Sequence, residues 1–392
     1  MKLNKKITAV NASPTLTVTM RANDLAAQGI KVIPLAAGQT DFDTPEFINE
    51  ACIKALNEGQ TKYTPSAGIL QLRQAICQKF KQDNNLEYTE KQVIVSCGAK
   101  HSLYNIFQIM IDSDDEVIIP IPYWVSYPEM VTLAGGKSIF IEAKEENGLK
   151  ITPQQLEAAI TPKTKIFVFN SPSNPTGVGY SKQDIQKLAE VLKKYPDIAI
   201  VSDEIYEHLT YNNFKHFSFA EAASELFDRT FTVNGFTKAY SMPGWRLGYT
   251  GCPNETIAAA MNKLQEQSTT GTNSFAQFGG IAALLGDQSI VKEMRDEFDS
   301  RRKFIVDAFN KMPGVTCLDP QGAFYIFPNI KKWKMSSLDV AMSWLEDIYV
   351  AAVPGSAFGL EGYIRCSFAT SMINIQEAAN RINTWIKNNV KL

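Results

Sequence analysis

The 392-residue sequence contains no run of about 20 apolar residues long enough to cross a bilayer. Lys2, Lys5 and Lys6 have no apolar stretch behind them that would make a signal peptide. Charge of one sign is also missing, since 39 Lys and Arg face 41 Asp and Glu for a net charge of −2. A nucleic-acid or membrane-surface protein would carry a strong basic excess, so neither partner is expected. Cysteine is sparse, with six residues at 52, 77, 97, 252, 317 and 366 and no C-x-x-C. That scatter supports neither a zinc site nor a disulfide framework; no metal is expected, and a reducing, cytoplasmic setting is. No G-x-G-x-x-G follows a strand, and Gly136-Lys137-Ser138 ends like a P-loop but has Val131 at the required first glycine. Repeats and low-complexity segments are absent as well.

What is present is apolar alternation. Hydrophobic residues make up 45% of the chain, enough to bury a full core. Short apolar runs at Val93–Ser96, Glu116–Pro120, Ser138–Ile141, Lys165–Phe169, Ile198–Val201, Thr230–Val233 and Leu247–Gly251 alternate with amphipathic stretches of helical period. Continuous apolar strands between helices predict a mostly parallel seven-stranded sheet covered on both faces, an α/β fold. Residues 1–20 read as irregular, followed by a helix over Arg21–Gly29 and a strand over Val32–Ala37. After about Ser289 the texture becomes mixed α+β, with a long charged helix, strands at Ala323–Phe327 and Tyr363–Phe368, and a terminal helix. The expected division is an N-terminal segment (1–44), a large domain (45–289) and a smaller domain (290–392) that takes in part of the N-terminal segment.

The chemistry concentrates at strand ends and tight turns. Lys238 follows the apolar run Thr230–Val233, and Arg246 comes eight residues later in a Gly- and Pro-rich turn. A lysine in a partly dry pocket loses pKa and stays nucleophilic, able to condense with an aldehyde, and a nearby arginine can hold a phosphate. Gly98-Ala99-Lys100 joins a strand to a helix N-terminus, an anion site or simply a tight connection. Asn174 lies in the proline-rich loop after Lys165–Phe169, on the edge where open α/β sheets bind ligands. Asp203 and Tyr206 end the next strand; the Asp serves equally as a helix cap. Trp124 suits a core as well as a site. Arg365 inside the apolar Tyr-Ile-Arg-Cys-Ser-Phe needs an anionic partner if buried.

With these motifs in this order, from Tyr63-Thr-Pro-Ser-Ala-Gly68 and Pro122-Tyr-Trp-Val-Ser-Tyr-Pro128 through Asn170-Ser-Pro-Ser-Asn-Pro-Thr-Gly177, Ser202-Asp-Glu-Ile-Tyr-Glu-His208, Thr237-Lys238 and Gly244-Trp-Arg-Leu-Gly-Tyr249 to Arg365, the chain resembles the fold-type I, class I pyridoxal-phosphate aminotransferases. Within them it is most similar to the bacterial aspartate aminotransferase subgroup, from about Ser13 to Asn383.

The resemblance implies pyridoxal 5'-phosphate as cofactor, amino and 2-oxo acids as substrates, and a homodimer with shared active sites. It implies that Lys238 carries the cofactor aldehyde and shuttles the substrate proton. Asp203 would pair with the ring nitrogen, Asn174 and Tyr206 bond the ring oxygen, and Trp124 stack on the ring. Gly98, Ala99 and Arg246 would hold the phosphate, with Tyr63 reaching that of the neighbouring subunit. Arg365 would take the substrate α-carboxylate, helped by Asn174, Trp124 and Gly38. Lys100 and Thr17 (or Thr15) would face a distal carboxylate. The implied reaction moves the amino group of L-aspartate to 2-oxoglutarate in a ping-pong cycle. Alternatives are prephenate/glutamate, aromatic or alanine aminotransferase, or a C–S lyase. Two departures stand out. Ser13 replaces the basic residue that prephenate-using members carry before Pro14. Gly235 stands where many relatives have a phosphate-binding serine, a contact that Lys100 could supply instead.

Overall fold

Apolar segments assemble a central sheet in the computed structural model, which describes residues 1–12 and 14–391, with residues 14–16 in backbone only. In chain order the strands are β1 (Ile33–Pro34), β2 (Val93–Ser96), β3 (Glu116–Ile121), β4 (Lys137–Glu142), β5 (Thr164–Asn170), β6 (Ala199–Asp203), β7 (Thr230–Gly235), β8 (Gly248–Gly251), β9 (Tyr325–Ile326), β10 (Val350–Ala351), β11 (Val353–Pro354) and β12 (Ile364–Ser367). The seven-stranded sheet has the order β2-β8-β7-β6-β5-β3-β4. β3 to β7 are parallel to their neighbours, and only β8 runs antiparallel, to both β7 and β2.

Side-chain alternation along each strand explains the double cover. On β5, Ile166 and Val168 pack with Leu103 and Ile106 of the helix Ala99–Met110 and with Met261 of the helix Glu255–Ser268. Phe167 and Phe169 point the other way, into a core with Ile185 and Leu188 of the helix Lys182–Leu192. That helix starts with a capping box at Ser181 and Asp184, which satisfies two of its free N–H groups.

The second unit is α+β and joins both chain ends. β9, β12 and β11 form an antiparallel sheet, and β1 pairs in parallel with β10, Ile33 opposite Val350. The helices Ser289–Asn310 and Met372–Asn389 cover it through Phe298, Ile305, Ile375 and Ile382, together with Ile33 and Leu35 from the N-terminal segment.

Two local expectations change, and three helices were not anticipated. The N-terminal residues are helical over Lys5–Thr8 and Pro14–Ala27, because Pro14 suits a first helical turn rather than breaking one. The expected strand Val32–Ala37 shrinks to Ile33–Pro34, since residues 36–39 leave the sheet to line a cavity. Helices at Glu255–Ser268, Ser274–Leu285 and Ser337–Asp347 carried no sequence expectation. Among the described residues no helix is long and apolar enough to cross a membrane.

Candidate active site

Parallel pairing of β5, β6 and β7 brings their carboxyl ends to one edge, with Asn170 opposite Asp203 and Asp203 opposite Val233. A cavity of about 670 Å³ opens over that edge. The loop after β5 returns Asn174 to it, fixed by its N–H donating to Asn170 Oδ1 at 3.0 Å. The segment after β6 supplies Tyr206, and that after β7 supplies Lys238.

Asp203 is 5% exposed and has no ion-pair partner among the described residues. Its Oδ2 accepts the Tyr127 hydroxyl at 2.7 Å and its Oδ1 the Ile205 N–H at 3.3 Å. Burial pushes its pKa up to about 6 even against these bonds. The Lys238 amine faces the cavity, donates to the Gly38 carbonyl, and lies 5.7 and 5.4 Å from the Tyr206 and Phe324 ring centroids. The side chain keeps some accessible surface there, yet the surrounding protein dehydrates it. Burial, reinforced by the charges of Arg365 and Arg246, lowers its pKa to about 7, with Asp203 opposing. A large share of the amine is therefore unprotonated near neutral pH and nucleophilic.

Arg365 projects from β12 and is 3% exposed. Its Nη1 donates to Asn174 Oδ1 at 3.1 Å and its Nη2 to the Ala36 carbonyl at 2.8 Å, while Nε is buried without a protein acceptor. The Tyr325 ring lies 4.4 Å below the guanidinium, and the Tyr325 hydroxyl is 3.0 Å from that of Tyr206.

At the other end, Gly98 has φ +86°, and a Cβ there would come within 2.7 Å of Arg246 Nη2. The helix Ala99–Met110 begins at this point, so the amides of Ala99 and Lys100 have no carbonyl within the helix to donate to. Arg246, itself at φ +52°, folds back to the Pro243 and Cys97 carbonyls at 3.0 and 3.4 Å. The Lys100 amine sits 5.0 Å from the Trp124 ring centroid, its pKa lowered by burial and by Arg246. Trp124 meets Tyr127 edge to face at 5.2 Å.

Gly38, Ala99, Lys100 and Trp124 thus share one cavity with Asn174, Asp203, Tyr206, Lys238, Arg246 and Arg365. Tyr63 does not join them. It is 95% exposed and lines a separate depression of about 470 Å³ with residues 269–274. Thr17 is exposed, and the residues of its helix that line the cavity are Thr19 and Asn23. Ser13 and the Thr15 side chain lie outside the described residues. At Gly235 a Cβ would lie 3.1 Å from Gly248 Cα and 3.2 Å from the Leu247 carbonyl, so close approach of β8 accounts for the glycine. Sequence reasoning gave no role to Tyr127 and Asn170, which stand inside the motifs quoted above, and missed Tyr325. Their signal was only a polar atom at a strand end or in an apolar helix, and which group each one meets depends on strand order.

Glu204, Glu207 and His216 bring ligand atoms within 4.8 Å of one another. Protein donors already hold their carboxylates. Ser202, Ser218 and the Phe219 N–H bond Glu204, and Lys79, Asn84 and Asn234 bond Glu207.

Residues 30–382 match the family model described as aminotransferase class I and II. The chain belongs to that family. This aminotransferase is 48% identical to the aspartate aminotransferase of Bacillus subtilis (strain 168) over 99% of both chains. It is equally, 48%, identical to the aspartate/prephenate aminotransferase of Nitrosomonas europaea, over 97% of this chain and 99% of that one. Its fold overlays the aspartate aminotransferase of Rhizobium meliloti with a TM-score of 0.96 at 38% identity over 100% of both chains. It overlays that of Thermus thermophilus with maleate at 0.94 and 39% identity, over 98% and 99%.

Class I aminotransferases use pyridoxal 5'-phosphate, and the unfilled groups here fit it. Asp203 is a buried acid lacking a cation, the Ala99 and Lys100 amides with Arg246 lack an anion, and Lys238 offers an amine for an aldehyde.

Proposed function

We propose that this aminotransferase moves the amino group of L-aspartate to 2-oxoglutarate, giving oxaloacetate and L-glutamate. The observation that carries the reading is a lysine amine with no ion-pair partner among the described residues and a pKa near 7, in the same cavity as a buried carboxylate without a cation and a buried arginine. When bound, pyridoxal 5'-phosphate supplies an electron sink next to the substrate Cα. Lys238 holds the cofactor and then moves the proton at the substrate Cα through Nζ. Asp203 would hold the ring nitrogen and so stay ionised. Asn174 and Tyr206 would hydrogen-bond the ring oxygen, and Trp124 would pack on the ring face. The helix start at Gly98 and Ala99, with Arg246, holds the phosphate. Arg365 takes the α-carboxylate in a bidentate grip, with Asn174, Trp124 and Gly38 shaping the pocket around it.

A four- or five-carbon dicarboxylate is supported by Lys100 beside Trp124, a cation at the cavity wall with no acid paired to it among the described residues. Thr17 is kept at this distal end of the proposal, two residues before the cavity-lining Thr19 on the same helix. The similar Thermus enzyme with maleate, a dicarboxylate, agrees with the choice.

The proposal includes a homodimer in which Tyr63 reaches the partner's phosphate site. Its 95% exposure supports this, as do Ile53 and Leu56, exposed one turn apart on the helix Glu46–Asn57. It also keeps the division into residues 1–44, 45–289 and 290–392 and a cytoplasmic setting, the latter supported by six free cysteines. The test is steady-state turnover by holoenzyme with 2-oxoglutarate and a panel of aspartate, tyrosine, alanine and prephenate-derived donors. Aspartate is expected to give the highest kcat/KM. A different preferred donor overturns the substrate, and no turnover with any donor overturns the activity.

A further inference from the structure

We infer that Tyr127 is a positioning residue that keeps Asp203 ionised and correctly turned for the cofactor's ring nitrogen. The inference rests on the pyridoxal-phosphate reading above, but the residue carried no expectation in it. Tyr127 is 2% exposed, in the first turn of the helix Ser126–Ala134 and packed into the core against Val168 and Val201. A phenol this deep needs a partner for its hydroxyl, and the one it takes is Asp203 Oδ2 at 2.7 Å. The bond occupies one carboxylate oxygen and fixes the plane of the group. Oδ1, held only by the Ile205 N–H at 3.3 Å, remains for a ligand.

The donor is permanent. Burial and the Asp203 charge raise the Tyr127 phenol well above its ordinary pKa, so it never reverses into an anion that would repel the acid. The other groups acting on Asp203 are mixed. Glu204 from the same segment pushes it toward protonation, Lys238 after β7 toward ionisation, and Tyr206 is a neutral phenol. Arg246 and Arg365 line the same cavity but make no ion pair with it among the described residues. Tyr127 is therefore the one side chain that donates a hydrogen bond to the Asp203 carboxylate among the described residues, the Asn170 amide bonding only its backbone carbonyl. The same ring braces Trp124 edge to face, at 5.2 Å and 81°. One buried tyrosine thus links Asp203 to Trp124.

The test uses Tyr127→Phe, which keeps the ring and its contact with Trp124 and removes only the hydroxyl. Pyridoxal 5'-phosphate is titrated into apoenzyme between pH 5 and 8.5, followed by quenching of tryptophan fluorescence, and kcat is measured over the same range. In the variant the acid limb of both profiles is expected to move up by about one pH unit. Cofactor affinity is then expected to weaken roughly tenfold near pH 6 and little above pH 8. In an Asp203→Asn background, Tyr127→Phe is expected to leave the acid limb where it is. An unmoved limb in the single variant overturns the inference, and so does an equal loss of affinity at every pH, which marks packing alone. Wild-type apoenzyme that binds no cofactor overturns the pyridoxal-phosphate reading itself, which separates the two failures.

Discussion

Two lysine–carboxylate pairs draw their acids from Asp203, the last residue of β6, and Glu207, four residues later, and they have opposite fates. Lys79 and Glu207, each 4% exposed at the side chain, form a direct ion pair, and Asn84 and Asn234 donate to the same carboxylate at 2.7 and 2.6 Å. Burial alone would raise the Glu207 pKa, but Lys79 and its neighbours hold it far below the ordinary range. Lys238 and Asp203 share a cavity without meeting, and burial moves them toward neutrality, to about 7 and about 6. Full satisfaction in the first pair makes structure. The second pair is left incomplete, and its unspent desolvation cost is what makes it reactive toward a ligand that completes it.

Removing Lys238 should separate the two roles most sharply. Lys238→Ala is expected to lower kcat by about 10⁴-fold or more, through loss of the proton-transfer group, while denaturant unfolding of the apoenzyme shows no loss of stability. Lys79→Met should do the reverse. It strands the Glu207 charge and is expected to cost about 3–5 kcal/mol in urea unfolding, and adding Glu207→Leu should recover most of it. Should Lys79→Met leave stability intact, the contrast between the pairs fails.

Arg365→Lys tests the incomplete site from the substrate side. Losing the planar two-toothed grip is expected to raise the KM for aspartate roughly 10- to 100-fold, with a smaller change in kcat, measured in initial-rate assays.

The smallest effect concerns pH in the ligand-free chain. Asp203 has a raised folded pKa, so between pH 3.8 and about 6 the folded state keeps a proton the unfolded state has lost, and stability falls as pH rises. Lys238 has a lowered one, so between about 7 and 10.5 the unfolded state holds the extra proton and stability climbs with pH. The site's cost is greatest between pH 6 and 7. An Asp203→Asn, Lys238→Met variant should exceed wild type in Tm there by about 2 °C, with the gap closing on both sides. Glu207 behaves oppositely, losing its contribution only as pH falls below its unfolded value of 4.5.

The large sheet was legible because its strands are apolar on both faces; β2 was expected at Val93–Ser96, the span it occupies. The helices Ser274–Leu285 and Glu255–Ser268 were not read. The first is almost uniformly apolar and lacks a polar face to set the period. The proline that reads as irregular chain at residue 14 instead opens a helix.

By itself the sequence picked out the side chains proposed to carry the chemistry. Lys238, Asp203, Asn174 and Arg365 stand at strand ends or inside apolar strands, where a polar group has to be either satisfied or used. Only the tertiary structure decided which acid would be ion-paired and which would be left facing a cavity. Asp203 and Glu207 lie four residues apart on one short segment, and no local pattern tells them apart. Strand order sent one to a closed network and the other to an open cavity, because pairing across a sheet depends on contacts between residues far apart in the chain.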